Sequence, residues 1–116
     1  MDIYHIWCDL KAGIQDVDFT DALDQFLTNL KQSGDLHSYR ITRRKLGLGA
    51  NGLGEFHIQL EFEGLAELDA TFREVSGRSD PIESFHHSVN SKVQNVQFAL
   101  YRDFPDSQRL RGDEKF

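Results

Sequence analysis

Apolar and polar positions alternate from the start of the chain. In "DIYHIWCDL", residues 2 to 10, Tyr4, Ile6, Cys8 and Leu10 fall on one face of an extended segment, and Ile3, His5, Trp7 and Asp9 on the other. This predicts a strand whose first face meets the core. The spacing then changes to steps of three and four in "DVDFTDALDQFLTNLKQSG", where Phe19, Ala22, Leu23, Phe26, Leu27 and Leu30 form a stripe. Acids crowd the first turn and Gly34 closes the segment. That is an amphipathic helix. Two more alternating runs follow. "LHSYRITRRKLG" sets Tyr39 and Ile41 against Arg40, Thr42 and Arg44. "GEFHIQLEFE" sets Phe56, Ile58, Leu60 and Phe62 against Glu55, His57, Gln59 and Glu61. Helical spacing returns at Leu65, Leu68, Phe72 and Val75, breaks near Gly77, and restarts in "SDPIESFHHSVN" with Asp80 as cap and Pro81 at the first helical position. A last strand alternates Val96, Phe98 and Leu100 against Gln97, Ala99 and Tyr101.

The order β-α-β-β-α-β is the split βαβ arrangement of a ferredoxin-like sandwich, an α+β fold in a single domain over residues 1–106. Residues 107–116 form a charged tail too poor in apolar groups to pack alone. The expectation is a four-stranded antiparallel sheet with both helices on one face. Right-handed crossovers are expected to set the first and third strands side by side, and parallel, in the centre. The uncovered face must meet water, a ligand or a second subunit, and at 116 residues a partner is the economical solution.

Charge narrows the partner. Thirteen basic residues against nineteen acidic ones leave a net charge of -6, which repels polyanions and argues against nucleic-acid and anionic-membrane surfaces. The single cysteine, Cys8, excludes an internal disulfide and reads as a buried thiol in a reducing, cytoplasmic setting. Neither a signal peptide nor a membrane span is legible.

The stretch Gly47-Leu48-Gly49-Ala50-Asn51-Gly52 satisfies a dinucleotide-binding pattern literally, but that motif needs a helix next, and here a strand follows. It reads as a hairpin connection. Arg43, Arg44 and Lys45 do not make an RNA surface either, because Glu55, His57, Gln59 and Glu61 stand where stacking aromatics would be needed. The polar face is the richer candidate. Similar register on the central strands puts His5 near His57 and Trp7 near Gln59. The hairpin brings Arg44 toward His57, Thr42 toward Gln59 and Arg40 toward Glu61, the last as plain cross-strand salt pairing. An imidazole beside an arginine stays neutral and serves as a general base. The same residues, with Tyr101, also suit a hydrogen-bonded dimer interface. His86 and His87 are adjacent, so on a helix they point about 100° apart and do not chelate one ion; His86, beside Ile82 and Val89, is expected to face the sheet. No metal site and no cofactor are expected.

Taken together, "MDIYHIWCDLK", "YRITRRKLG", "GEFHIQLEF", "VNSKV" and "FALYRDFP" resemble the dimeric α/β-barrel superfamily, and within it a group of small bacterial ferredoxin-like proteins with no established activity. The resemblance implies that two sheets pack face to face and that each subunit holds a small ligand. It includes quinol and heme-degrading monooxygenases and muconolactone isomerases. The asparagine, tryptophan and histidine set of heme-degrading members is not matched, since the first strand offers His5, Trp7 and Asp9. The leading expectation is a homodimer, or a higher assembly, binding a small, largely apolar ligand able to carry a carboxylate, contacted by Tyr4, His5, Trp7, Tyr39, Phe56 and Phe98. One alternative is a cofactor-free monooxygenase or isomerase with His57 or His86 as base and Arg44 on an oxyanion. The other is a purely structural interaction protein.

Overall fold

A computed structural model describes residues 1–77 and 82–106, with the side chains of Ile82, Glu83 and Phe85 set aside. The expected cap at Asp80 and Pro81 and the charged tail lie outside the described residues. The elements run β1 (Asp2–Leu10), α1 (Asp16–Ser33), β2 (Ser38–Arg43), β3 (Phe56–Phe62), α2 (Leu65–Ser76), α3 (Ile82–Asn90) and β4 (Val93–Arg102). The sheet order is β2-β3-β1-β4, so the first and third strands are central and the second and fourth are edges. Every neighbouring pair is antiparallel. This corrects the expected parallel centre. The first crossover returns β2 in the direction of β1, and the β2–β3 hairpin then reverses the chain, so β3 must oppose β1.

The strict alternation of β3 is realised residue by residue: Phe56, Ile58, Leu60 and Phe62 are buried, while His57, Gln59 and Glu61 are half-buried on the other face. The buried set packs with Cys8 and with Phe19, Leu23, Phe26, Leu27 and Leu30 of α1 in one core, where Phe19 meets Phe56 edge to face at 5.1 Å. A fully buried phenylalanine stabilises by about 1.5–3 kcal/mol, so Phe19, Phe56 and Phe62 dominate the helix side. The helical region after β3 divides as the spacing predicts, α2 ending at Ser76 and α3 starting at Ile82. On α2, however, Thr71 is buried, its hydroxyl donating to the Glu67 carbonyl at 3.0 Å, whereas Leu65 and Phe72 are exposed. Among the described residues no helix is long and apolar enough to cross a membrane.

The connection from β2 to β3 holds a close backbone approach. A Cβ on Gly54 would sit 2.5–2.6 Å from backbone atoms of Cys8, so this strand entry requires glycine. Gly47 and Gly52 carry the positive φ values, 69° and 84°, that turn the chain between antiparallel strands. The stretch therefore turns a corner, as its sequence context implies.

Candidate functional site

The site is built on the open face of the sheet by the two central strands. Antiparallel register opposes His5 to Gln59 and Trp7 to His57, so the two expected pairs exchange partners because the central strands run in opposite directions. On the outer pair Thr42 opposes His57, Arg40 opposes Gln59 and Ser38 opposes Glu61. The hairpin is thus displaced by two residues from the expected alignment, because the ladder continues through the Arg44 N–H, which donates to the Glu55 carbonyl at 2.8 Å.

His5 and His57 nevertheless meet across the diagonal. His5 Nδ1 and His57 Nε2 are 2.8 Å apart, a hydrogen bond between two imidazoles. With centroids 5.1 Å apart and planes only 17° from parallel, the rings lie edge to edge. Trp7 stacks on His57 at 4.6 Å and 7°, and is also nearly parallel to His5 at 5.5 Å. Tyr101 of β4 and His5 stand edge to face, with centroids 4.9 Å apart and planes at 73°. Desolvation lowers both histidine pKa values, and for His57 the neighbouring His5 lowers it further. Both rings are therefore held neutral at pH 7. Joined edge to edge, with Trp7 over the face of His57, each ring keeps one nitrogen outside the bond between them, an arrangement suited to accepting or donating a proton.

The supporting residues are locked by the ends of the strands. Thr42 Oγ1 donates to the His57 carbonyl at 2.9 Å. Asp9 accepts from the Glu55 N–H at 2.8 Å and from Asn95 Nδ2 at 3.0 Å, bonds that hold its carboxyl below the usual range and tie β1 to both neighbours. Asn95 adopts a positive φ of 53° where the β1–β4 register slips between Trp7 and Asp9, a bulge that asparagine tolerates. The sequence pattern does not reveal this clamp, since alternation says nothing about where a strand slips. Arg44, expected beside His57, instead donates through Nη2 to the Leu53 carbonyl at 2.6 Å and packs under Gly49, bracing the loop. The expected Arg40–Glu61 ion pair does not form, and Glu61 accepts from Ser38 Oγ at 2.8 Å.

The remaining candidates lie on the helix side and do not converge. Phe56 is buried in the core, with the Arg43 guanidinium 5.2 Å from its ring centroid. The Tyr39 hydroxyl is hydrogen-bonded to Asp24 and, at 2.8 Å, to Thr28. Tyr4 forms a separate aromatic group, stacked on Phe98 at 5.7 Å and edge-on to Phe72 at 5.0 Å. His86 is tilted against Phe26 at 5.7 Å, on the opposite side of the sheet from His57. A cleft of about 250 Å³ between the start of α1 and β2, lined by Thr20, Ile41, Arg43 and Phe56 among others, does not include the imidazole pair. Among the described residues no three His, Cys, Asp or Glu side chains converge on a metal-sized site.

The family of unknown function DUF6614 matches residues 1–116. The chain belongs to this family. Curated proteins contain no match to it. Solved structures place the DUF6614 chain among ferredoxin-like proteins. A protein of Arabidopsis thaliana superposes with a TM-score of 0.69 at 13% identity, covering 95% of this chain and 100% of its own. A dimeric ferredoxin-like protein of unknown function from Thermobifida fusca gives 0.58 at 15% identity over 87% and 90% of the two chains. SnoaB, a cofactor-independent oxygenase from Streptomyces nogalater, gives 0.65 at 3% identity over 93% and 98%. At such identities the likeness establishes the fold of the DUF6614 protein, and its chemistry has to be argued from its own residues.

Proposed function

We propose that this DUF6614 protein works as a homodimer whose open sheet faces turn toward each other and enclose a small, largely apolar ligand bearing an acidic or carboxylate group. The observation that carries this reading is the His5–His57 pair with Trp7 and Tyr101, a group of aromatic and imidazole side chains on a face that the helices leave uncovered. Tryptophan and tyrosine are favoured where a surface is shared with a partner, and two neutral imidazoles bind an acidic group without the cost of a buried charge. Dimeric ferredoxin-like structures on the same fold support the assembly. Of the expected ligand contacts, His5 and Trp7 belong to this site. Phe56 and Tyr39 serve the core, and Tyr4 with Phe98 lines the helix side near β4.

A second reading, a cofactor-free monooxygenase or isomerase, is favoured by one feature: the imidazole pair supplies a base at neutral pH, in a fold shared with a protein described as a cofactor-independent oxygenase. In that reading His57, not His86, is the base, and Arg44 serves the loop. Native mass spectrometry of the purified chain, followed by denaturing release, tests the proposal. A dimer releasing a small acidic or aromatic molecule supports it; a clean dimer favours a purely structural interface, and a monomer overturns it.

A further inference from the structure

Two neutral imidazoles joined edge to edge have a fixed hydrogen inventory. Each ring carries one N–H and one bare nitrogen. One hydrogen occupies the 2.8 Å bond between His5 Nδ1 and His57 Nε2. The ring that donates it is therefore bare at its outer nitrogen, and the ring that accepts it carries its hydrogen outside. The pair exposes one base and one acid, at His5 Nε2 and His57 Nδ1 in either order.

We infer that His5 and His57 act as a single proton relay that ionises the hydroxyl of a bound enol or phenol. The inference rests on the reading that a small acidic ligand enters this face. The bare outer nitrogen accepts the ligand's proton, breaking the O–H bond and forming an N–H bond. The shared hydrogen crosses to the other ring, whose outer N–H releases its proton to water. The ligand is left as an oxyanion, one proton has gone to solvent, and neither ring has gained a net charge. Both rings have exchanged tautomers, so the nitrogen that acted as a base now points an N–H at the oxyanion and stabilises it. Exchange with water after the ligand leaves resets the pair.

The surroundings fit this role. A lone histidine would have to hold the proton as a cation, which the desolvation of this cluster opposes; the relay avoids it. Trp7 covers one face of both rings and keeps them in plane. Gln59, directly across from His5, and Thr42, across from His57, are neutral, so no carboxylate on these two rows traps the proton. His5 acquires a role beyond ligand contact: it sets which nitrogen of His57 is bare.

The test uses the full chain and 4-nitrophenol, whose ionised form absorbs separately from the neutral one. Bound to the wild type, the probe is expected to ionise at a pH at least one unit below that of the free probe, a tenfold shift in the ratio of its two forms. His5→Gln and His57→Gln each abolish the shift, while His86→Ala preserves it. Binding without a shift, or a shift that survives His5→Gln, overturns the relay and leaves the binding site intact. Failure of the wild type to bind the probe overturns both the relay and the ligand reading. Nitrogen-15 spectra of the unliganded wild type give a check that needs no variant to fold: the same tautomer on both rings, both Nδ1–H or both Nε2–H, supports the relay, and opposite tautomers, which would leave two hydrogens or none between His5 Nδ1 and His57 Nε2, overturn it.

Discussion

The two faces of this sheet are built from the same strands and do different work. On the helix side, Phe56, Ile58, Leu60 and Phe62 are 0–5% exposed and interlock with α1. On the open side, His5, Trp7, His57 and Gln59 are half-buried, and the first three hold one another through a hydrogen bond and ring contacts. A packed apolar face stabilises through area removed from water, and its loss is expensive. A polar face that keeps its hydrogen bonds contributes little net stability but positions groups that can exchange protons. Stability and chemistry are thus divided across a single layer of backbone, and the division can be tested.

The largest effect belongs to the helix side. Phe62→Ala removes a 0% exposed ring from the core and is expected to cost about 3–5 kcal/mol in denaturant unfolding. A cost below that of His57→Gln would break the comparison. Next comes the point where the faces share backbone. Gly54→Ala forces a Cβ against Cys8 and is expected to cost roughly 1–3 kcal/mol, with local displacement of β3 from β1. Because burial raises the Cys8 thiol pKa to about 11, native Cys8 should be slow toward thiol reagents. Faster labelling in the Gly54→Ala protein would report that displacement directly.

How much of this was legible in the sequence depends on what alternation encodes. Period-two patterning assigns each residue to a face, so the core set of β3 and the polar set with His5 and His57 are readable from "FHIQLEF" and "DIYHIWCDL" alone. It does not encode register. His57 lies opposite Trp7 and reaches His5 only along the diagonal, which follows from the antiparallel directions of β1 and β3 and from the register in which they pair. Nor does it encode cover: Phe98 and Leu100 pair with Ile6 and Tyr4, yet remain 60% and 51% exposed on an edge strand. Arg44 was misplaced for a related reason. A long side chain next to a glycine loop finds backbone carbonyls nearer than any partner across the sheet.

The open face is expected to show a smaller, pH-dependent effect. His57→Gln deletes one imidazole hydrogen bond, worth about 1 kcal/mol or less at pH 7.5. The two histidines have pKa values lowered by folding, so the unfolded chain binds protons first. Their stabilising contribution is complete above an unfolded value of about 6.5 and is lost as the pH falls below it toward the lowered folded values. Urea midpoints should accordingly fall between pH 7.5 and 5.5 in the wild type and fall less in His57→Gln. Asp9 and Asp16, whose pKa values are also lowered, begin to lose their contribution only near and below the carboxylate range, so they do not imitate this window. A wild type with equal midpoints at the two pH values would show that folding leaves the imidazoles as it finds them.

The smallest effect is expected where charge, rather than packing or imidazole chemistry, joins the elements. Arg43 bridges Asp16 at the start of α1, at 2.7 Å, and Glu55 before β3, at 3.1 Å, and all three side chains are nearly half exposed. Water and salt screen such pairs, and holding three flexible side chains offsets much of the attraction. Arg43 also sets its guanidinium over the Phe56 ring, 5.2 Å from the centroid, a close contact that salt screens less than the exposed ion pairs. Arg43→Gln should therefore move the urea midpoint less than any substitution above, and added salt should lower the wild-type midpoint by less than the substitution does. If salt reproduces the full effect of Arg43→Gln, the bridge is purely ionic. If salt does nothing and the substitution matters, the Phe56 contact carries it, and the boundary of the packed face extends one residue farther along β2 than burial alone indicates.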